Sequence, residues 1–112
     1  MATLTTQSIV STGLNPTYQA AAGGGDKVRP GARVFLHVKN DDGSSVTVTV
    51  DDVLSQEPSG AASFDPNLEV VIEPSGERMI GPIVESRFRG SDGLAAISYS
   101  SVTSLTVAAL RV

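Results

Sequence analysis

The stretch Ser45-Val46-Thr47-Val48-Thr49-Val50 decides the fold class. Valine alternates with hydroxylated residues without a break, so Val46, Val48 and Val50 share one face and Ser45, Thr47 and Thr49 the other. A period of two in β-branched residues is the pattern of a strand with one face buried and one face wetted. Just upstream, Arg33-Val34-Phe35-Leu36-His37-Val38-Lys39 repeats it. Val34, Leu36 and Val38 form the apolar face, and Arg33, Phe35, His37 and Lys39 the other. Asn40-Asp41-Asp42-Gly43-Ser44, rich in turn formers, separates the two runs. Residues 33–50 therefore read as a β-hairpin, with Val46, Val48 and Val50 buried against Val34, Leu36 and Val38.

Working outward, Leu68-Glu69-Val70-Val71-Ile72 alternates with Leu68, Val70 and Ile72 inward, and Glu73-Pro74-Ser75-Gly76-Glu77 reads as a turn. Arg78 to Ile83 is a short strand, whose Pro82 cannot donate to a ladder and so favours a sheet edge or strand end. Glu85-Ser86-Arg87-Phe88 suits a single helical turn, and Gly90-Ser91-Asp92-Gly93 another reversal. Ala95 to Tyr99 and Ser104 to Leu110 complete the set. In the last of these, apolar Ala108 and Leu110 interrupt the alternation, which predicts either a bulge or burial on both faces. Thr3 to Val10 is a weaker strand. About seven short strands with turn signals between them predict an all-β fold, a small antiparallel β-sandwich or jelly-roll-like barrel, in one domain over residues 1–112.

Two segments fit no minimal sandwich. Gly13 to Ala32 is long and rich in small residues, and Leu54 to Asn67 carries Pro58, Gly60 and Pro66. Structureless loops beyond about 12–15 residues are uncommon in compact domains. The first reads either as a mobile surface loop or as an extended N-terminal arm that orders against a partner; the second reads as a surface loop. On the arm reading, residues 1–32 form a strand plus arm and residues 33–112 the sandwich core. Tyr at a boundary keeps its hydroxyl bonded, and small Ala and Gly side chains allow close backbone approach. Leu14, Pro16, Tyr18 and Val28 are thus the candidate partner-binding residues.

Composition narrows the function. The chain has 112 residues, 8 Lys and Arg against 12 Asp and Glu, a net charge of −4, no Cys, no Trp and one His. That excludes a disulfide scaffold, a Cys nucleophile, a Cys-based zinc site and a multi-His metal site. The acidic balance argues against nucleic acid as a partner. No apolar run approaches the ~20 residues of a membrane span. Met1 to Gln7 has neither the basic start nor the apolar stretch of a signal peptide.

Local motifs for catalysis are weak. His37 alternates with Arg33, Phe35 and Lys39, so it reads as a surface or interface residue on a strand, not a general base. Asp41-Asp42 and Asp51-Asp52 lack the ligand spacing of a calcium loop, and a turn and a strand end explain them. Gly23-Gly24-Gly25-Asp26-Lys27 departs from the phosphate-loop pattern at Asp26 and lacks the following Ser or Thr. The five aromatics, Tyr18, Phe35, Phe64, Phe88 and Tyr99, are scattered and form no sugar-binding platform. The reading is a structural or binding module with no catalytic residues, no metal and no cofactor.

Several stretches together resemble small virion proteins of tailed bacteriophages, especially those infecting actinobacteria. They are Leu4-Thr5-Thr6-Gln7, Gly13-Leu14-Asn15-Pro16-Thr17-Tyr18 with the Ala- and Gly-rich run after it, and Arg33 to Asn40 followed by Val46-Thr47-Val48-Thr49. Gly76-Glu77-Arg78-Met79-Ile80-Gly81-Pro82 and Ile97 to Val107 complete the resemblance. It implies a capsid decoration protein on the outside of the virion, bound to the major capsid protein. Bridging neighbouring shell subunits around a local symmetry axis suits a closed trimer. Neither nucleic acid nor membrane is an expected partner. The alternatives are a virion-displayed carbohydrate-binding or adhesin module, or a head–tail or tail component.

Overall fold

The computed structural model describes residues 2–52 and 67–112. They form β1 (Ala2–Thr3), β2 (Thr6–Ser8), β3 (Gln19–Ala20), β4 (Asp26–Val28), β5 (Val34–Asn40), β6 (Val46–Val50), β7 (Leu68–Ile72), β8 (Glu77–Ile80), the helical turn α1 (Glu85–Phe88), β9 (Ala95–Tyr99) and β10 (Leu105–Arg111). Two sheets pack face to face as a small all-β sandwich. The first runs β1-β4-β9-β6-β7 and the second β2-β10-β5-β8, with β3 also paired to β10. The expected turn at Glu73–Gly76, the helical turn at Glu85–Phe88 and the strand at Ala95–Tyr99 are all present.

The alternating strands face each other across the core. Val34, Leu36 and Val38 of β5 and Val46, Val48 and Val50 of β6 are all buried in one cluster with Ile72, Ile97, Leu105 and Val107. They are not, however, the two arms of a hairpin. β5 pairs with β10 and β8, whereas β6 pairs with β7 and β9, in the opposite sheet. Alternation reports which face is buried, and both arrangements bury the same six side chains.

Asn40 supplies the reason the chain crosses between sheets. Its side chain is fully buried. Its Nδ2 donates to the carbonyls of Ser44 (2.8 Å), Ile72 (3.2 Å) and Glu73 (3.3 Å), and its Oδ1 accepts from the Asp42 amide (3.1 Å). One amide group thereby closes the β5–β6 arch and fastens it to the β7–β8 arch, which also changes sheets. The Asn40 amide donates to Gly76 O (2.8 Å), joining the two arches through the backbone as well.

The expected strand from Thr3 to Val10 is two strands in different sheets. β1 lies parallel to β4, and β2 parallel to β10. Buried Leu4 sits between them, and its amide donates to Lys27 O (2.7 Å). The expected N-terminal arm is likewise folded into the sandwich. Within Gly13 to Ala32, β3 pairs with β10 and β4 with β9, while Ala21, Asp26 and Val28 are buried. Sequence left a surface loop or an arm as the readings because the Gly and Ala residues there carry almost no apolar periodicity. The strands there are only two and three residues long, too short to show one.

In β10 the apolar interruption is burial on both faces. Its register with β5 runs unbroken from Leu105 opposite Asn40 to Arg111 opposite Val34. Leu105, Val107 and Ala109 enter the core cluster, while Ala108 and Leu110 are 2% and 5% exposed on the other side. Pro82 lies beyond the end of β8, the edge strand of its sheet. Next to it, Gly81 crosses Phe35 so closely that a Cβ there would stand 2.7 Å from Phe35 Cβ, so only glycine fits. The second long loop, Leu54 to Asn67, lies outside the described residues apart from Asn67, whose Oδ1 accepts from the Asp52 amide (2.9 Å).

Candidate functional site

The outer face of the second sheet carries a polar chain that the sequence did not disclose. His37 in the middle of β5 points away from the core, yet it is only 7% exposed. Tyr18 covers it: the rings meet edge to face at 5.4 Å between centroids, and the Tyr18 hydroxyl lies 2.6 Å from His37 Nδ1. On the other side, His37 Nε2 lies 2.8 Å from Glu77 Oε1 on the neighbouring strand β8. A carboxylate only accepts, so Nε2–H donates to Glu77, and in the neutral imidazole Nδ1 is then the acceptor for the Tyr18 hydroxyl. The ammonium of Lys39, two residues along β5, sits 4.2 Å above the Tyr18 ring. His37 is therefore a buried residue bonded on both ring nitrogens; of the two readings its alternation allowed, a surface or an interface residue, it is not the first. The cover crosses from another element, and no periodicity of β5 could signal it.

A Tyr–His–Glu chain has the connectivity of a proton relay. The adjoining cavity of about 320 Å³ is lined by Leu4, Gln7, Thr17 and Gln19 with the outer side of β10, and neither Tyr18 nor His37 borders it. The arrangement acts as a clamp that seats residue 18 on the sheet. A second fastening lies beside it: Gln7 Nε2 donates to Thr17 O (2.8 Å), and the Thr17 amide donates to Gln7 Oε1 (2.9 Å). Residues 9–17 thus form a loop tied at its base.

The four candidate partner residues part company here. Leu14 and Pro16 are half-buried within that loop, and Tyr18 is half-buried in the clamp. Val28 is fully buried in the core and presents no outward surface. The Gly23–Lys27 run forms a turn, Gly25 adopting φ +92°, and sends Asp26 inward. The Asp26 Oδ2 accepts from the Tyr99 hydroxyl (2.8 Å) and the Ala22 amide (3.2 Å), while Oδ1 has no hydrogen-bond partner among the described residues. Burial first, and then the Asp26 carboxylate, push the Tyr99 hydroxyl well above the usual phenol range. Lys27 pairs with Asp92 at a cavity of about 570 Å³ that Asp51 and Phe88 also line. That pairing and the Leu94 amide hold Asp92 below the usual carboxylate range. Asp52 is buried and accepts from Arg87 Nε (2.7 Å), so it anchors the chain beyond β6.

The end of the sandwich at the start of β5 and the finish of β2 and β10 has the opposite character. A cavity of about 420 Å³ there is lined by Arg29, Arg33 and Arg111, with Thr6 and Ser8 at its side. Beside it lies an apolar hollow of about 360 Å³ bordered by Ala32, Arg33, Val34, Phe35, Pro82 and Val112. Sequence reading missed this cluster because Arg29 and Arg33, flanking Pro30-Gly31-Ala32, meet the distant Arg111 only in the fold.

Among the described residues, no group of three His, Cys, Asp or Glu side chains is placed to hold a metal ion. None of their helices is long and apolar enough to cross a membrane. In comparisons with known proteins the chain matches no family, no curated protein and no solved structure.

Proposed function

We propose that the chain is a non-enzymatic docking protein of a bacteriophage head, bound to the outside of the major capsid shell and stabilising it as a trimer. The observation that carries the reading is the tied loop of residues 9–17. It projects from the sandwich between two fastenings, the Gln7–Thr17 pair and the Tyr18–His37 contact, and carries Leu14 and Pro16 with the exposed Ile9 and Val10. A loop with fixed ends loses little conformational freedom on binding, which favours association. The resemblance to small phage virion proteins supports the capsid as the partner, and it includes Gly13 to Thr17 of this loop.

Cryo-EM of intact virions tests the proposal directly. The expected result is density for this chain on the outer shell around a local three-fold position, with residues 9–17 against a capsid subunit. Density at the tail or the head–tail junction would overturn the decoration role. Replacing Leu14 and Pro16 by Ser tests the loop separately: the variant should fold normally and fail to co-sediment with virions. Unchanged incorporation removes the loop from the interface. Loss of binding to host-cell glycans, with incorporation intact, would instead favour the displayed adhesin reading.

A further inference from the structure

We propose that the arginine-lined end of the sandwich is a docking cleft for an acidic, apolar-flanked segment of another protein chain. The carboxylates are taken by Arg29, Arg33 and Arg111, and a neighbouring apolar side chain by the hollow of Phe35, Pro82 and Val112. The inference rests on the geometry of this end alone and stands independently of the capsid reading.

Charge makes the first argument. The chain carries 8 Lys and Arg against 12 Asp and Glu, so carboxylates are plentiful. Lys27, Arg78 and Arg87 each hold one, and Lys39 lies over an aromatic ring. Among the described residues four basic side chains have no hydrogen bond, ion pair or ring contact, namely Arg29, Arg33, Arg89 and Arg111. Three of these four line one cavity, no acid shares its lining, and all three are exposed. Like charges gathered without neutralisation repel one another, and an incoming anion relieves that repulsion. The guanidinium fork binds a carboxylate through two parallel N–H bonds, which gives direction as well as attraction.

Apolar surface makes the second argument and selects the occupant. The hollow shares Ala32, Arg33 and Val34 with the arginine cavity, so the two are continuous. Ile9, Val10 and Val112, at this same end, are 44%, 49% and 67% exposed. A free small anion has no use for an apolar wall. A nucleic acid strand needs a long basic track and stacking aromatics, and meets a chain of net charge −4. A peptide that alternates carboxylates with apolar side chains matches both halves. The frame is also fixed, since Ile9 donates to Arg111 O (2.8 Å) and Val112 to Arg33 O (3.1 Å). The arginines therefore stand at or beside joined strand ends, and little ordering is left for binding to supply.

The test uses the full ¹⁵N-labelled chain and a capped octapeptide of alternating Glu and Leu. Saturable NMR shifts should appear at the amides of residues 29, 31–34 and 111–112. Affinity should fall about tenfold between low and moderate salt, as expected of steered charge pairing. Arg33→Gln and Arg111→Gln should each weaken binding several-fold, and Lys39→Gln should leave it unchanged. Equal binding of the Gln–Leu octapeptide, shifts confined to another surface, or no binding would overturn the proposal. So would inorganic phosphate or single-stranded DNA binding there as tightly as the Glu–Leu peptide. Self-association abolished by Asp41→Asn with Asp42→Asn would overturn it too, by making a second copy the occupant.

Discussion

The two ends of this sandwich treat their polar groups in opposite ways. At the arch end, one buried Asn40 side chain serves the carbonyls of Ser44, Ile72 and Glu73, and two sheet-crossing connections close on each other. At the other end, three arginines face one cavity with no partner among the described residues, beside exposed Ile9, Val10 and Val112. The first end satisfies its groups internally and so contributes to stability. The second leaves strong donors unused, which adds nothing to the isolated fold and keeps them available. The contrast separates residues that hold this molecule together from residues that can hold it to something else.

The largest test of that contrast is Asn40→Ala. It removes the donor shared by the buried Ile72 carbonyl and the partly buried Ser44 and Glu73 carbonyls, and should lower unfolding stability by about 3 kcal/mol, read by urea denaturation. A loss under about 0.5 kcal/mol would show that the arches do not depend on this side chain. Midway between the ends, Val48→Ala should cost about 2 kcal/mol through lost burial and the cavity left behind. Finding Val48 exposed and Thr47 buried, by side-chain labelling, would reverse the facing of β6.

A smaller effect follows from Tyr99. Its raised hydroxyl pKa stabilises the fold below the ordinary phenol value of 10.0, and that stability is lost as pH climbs beyond it. Tyr99→Phe should cost about 1 kcal/mol at neutral pH by depriving Asp26 of a donor, and should flatten the alkaline fall in stability. An unchanged alkaline slope in the variant would assign the fall to other groups. Smallest of all, Arg33→Gln should change stability by no more than about 0.5 kcal/mol, because the exposed Arg33 side chain has no hydrogen bond or ion pair among the described residues. A loss above about 1 kcal/mol would mean that Arg33 serves the fold and not a partner.

Sequence alone disclosed the strands and their buried faces wherever alternation ran for five residues or more, as in β5, β6 and β7. It did not disclose which sheet each strand joins. Val46, Val48 and Val50 are buried whether β6 lies beside β5 or across from it, and the deciding bonds are made by one Asn40 side chain that also suits an ordinary turn. Short strands escaped because β3 and β4 offer too few residues for a period. The candidate site was legible only in part. Tyr18 was singled out for its need of a hydroxyl partner, but that partner, His37, is 19 positions away on another strand. The arginine cleft was invisible because it exists only when residues 29, 33 and 111 meet.

The place of β10 bears on how the protein is made. It is bordered by β5 on one side and by β2 and β3 along the other, and Thr6 lies opposite Ala109. Every partner of β10 leaves the ribosome before it does. Until residues 105–111 follow, β5 lacks one of its neighbours and β2 and β3 have no edge to join. The second sheet therefore assembles in a late step, slowed by contacts so distant along the chain. A growing chain leaves the backbone edge of β5 that β10 pairs with open until then, an interval in which it is exposed to aggregation.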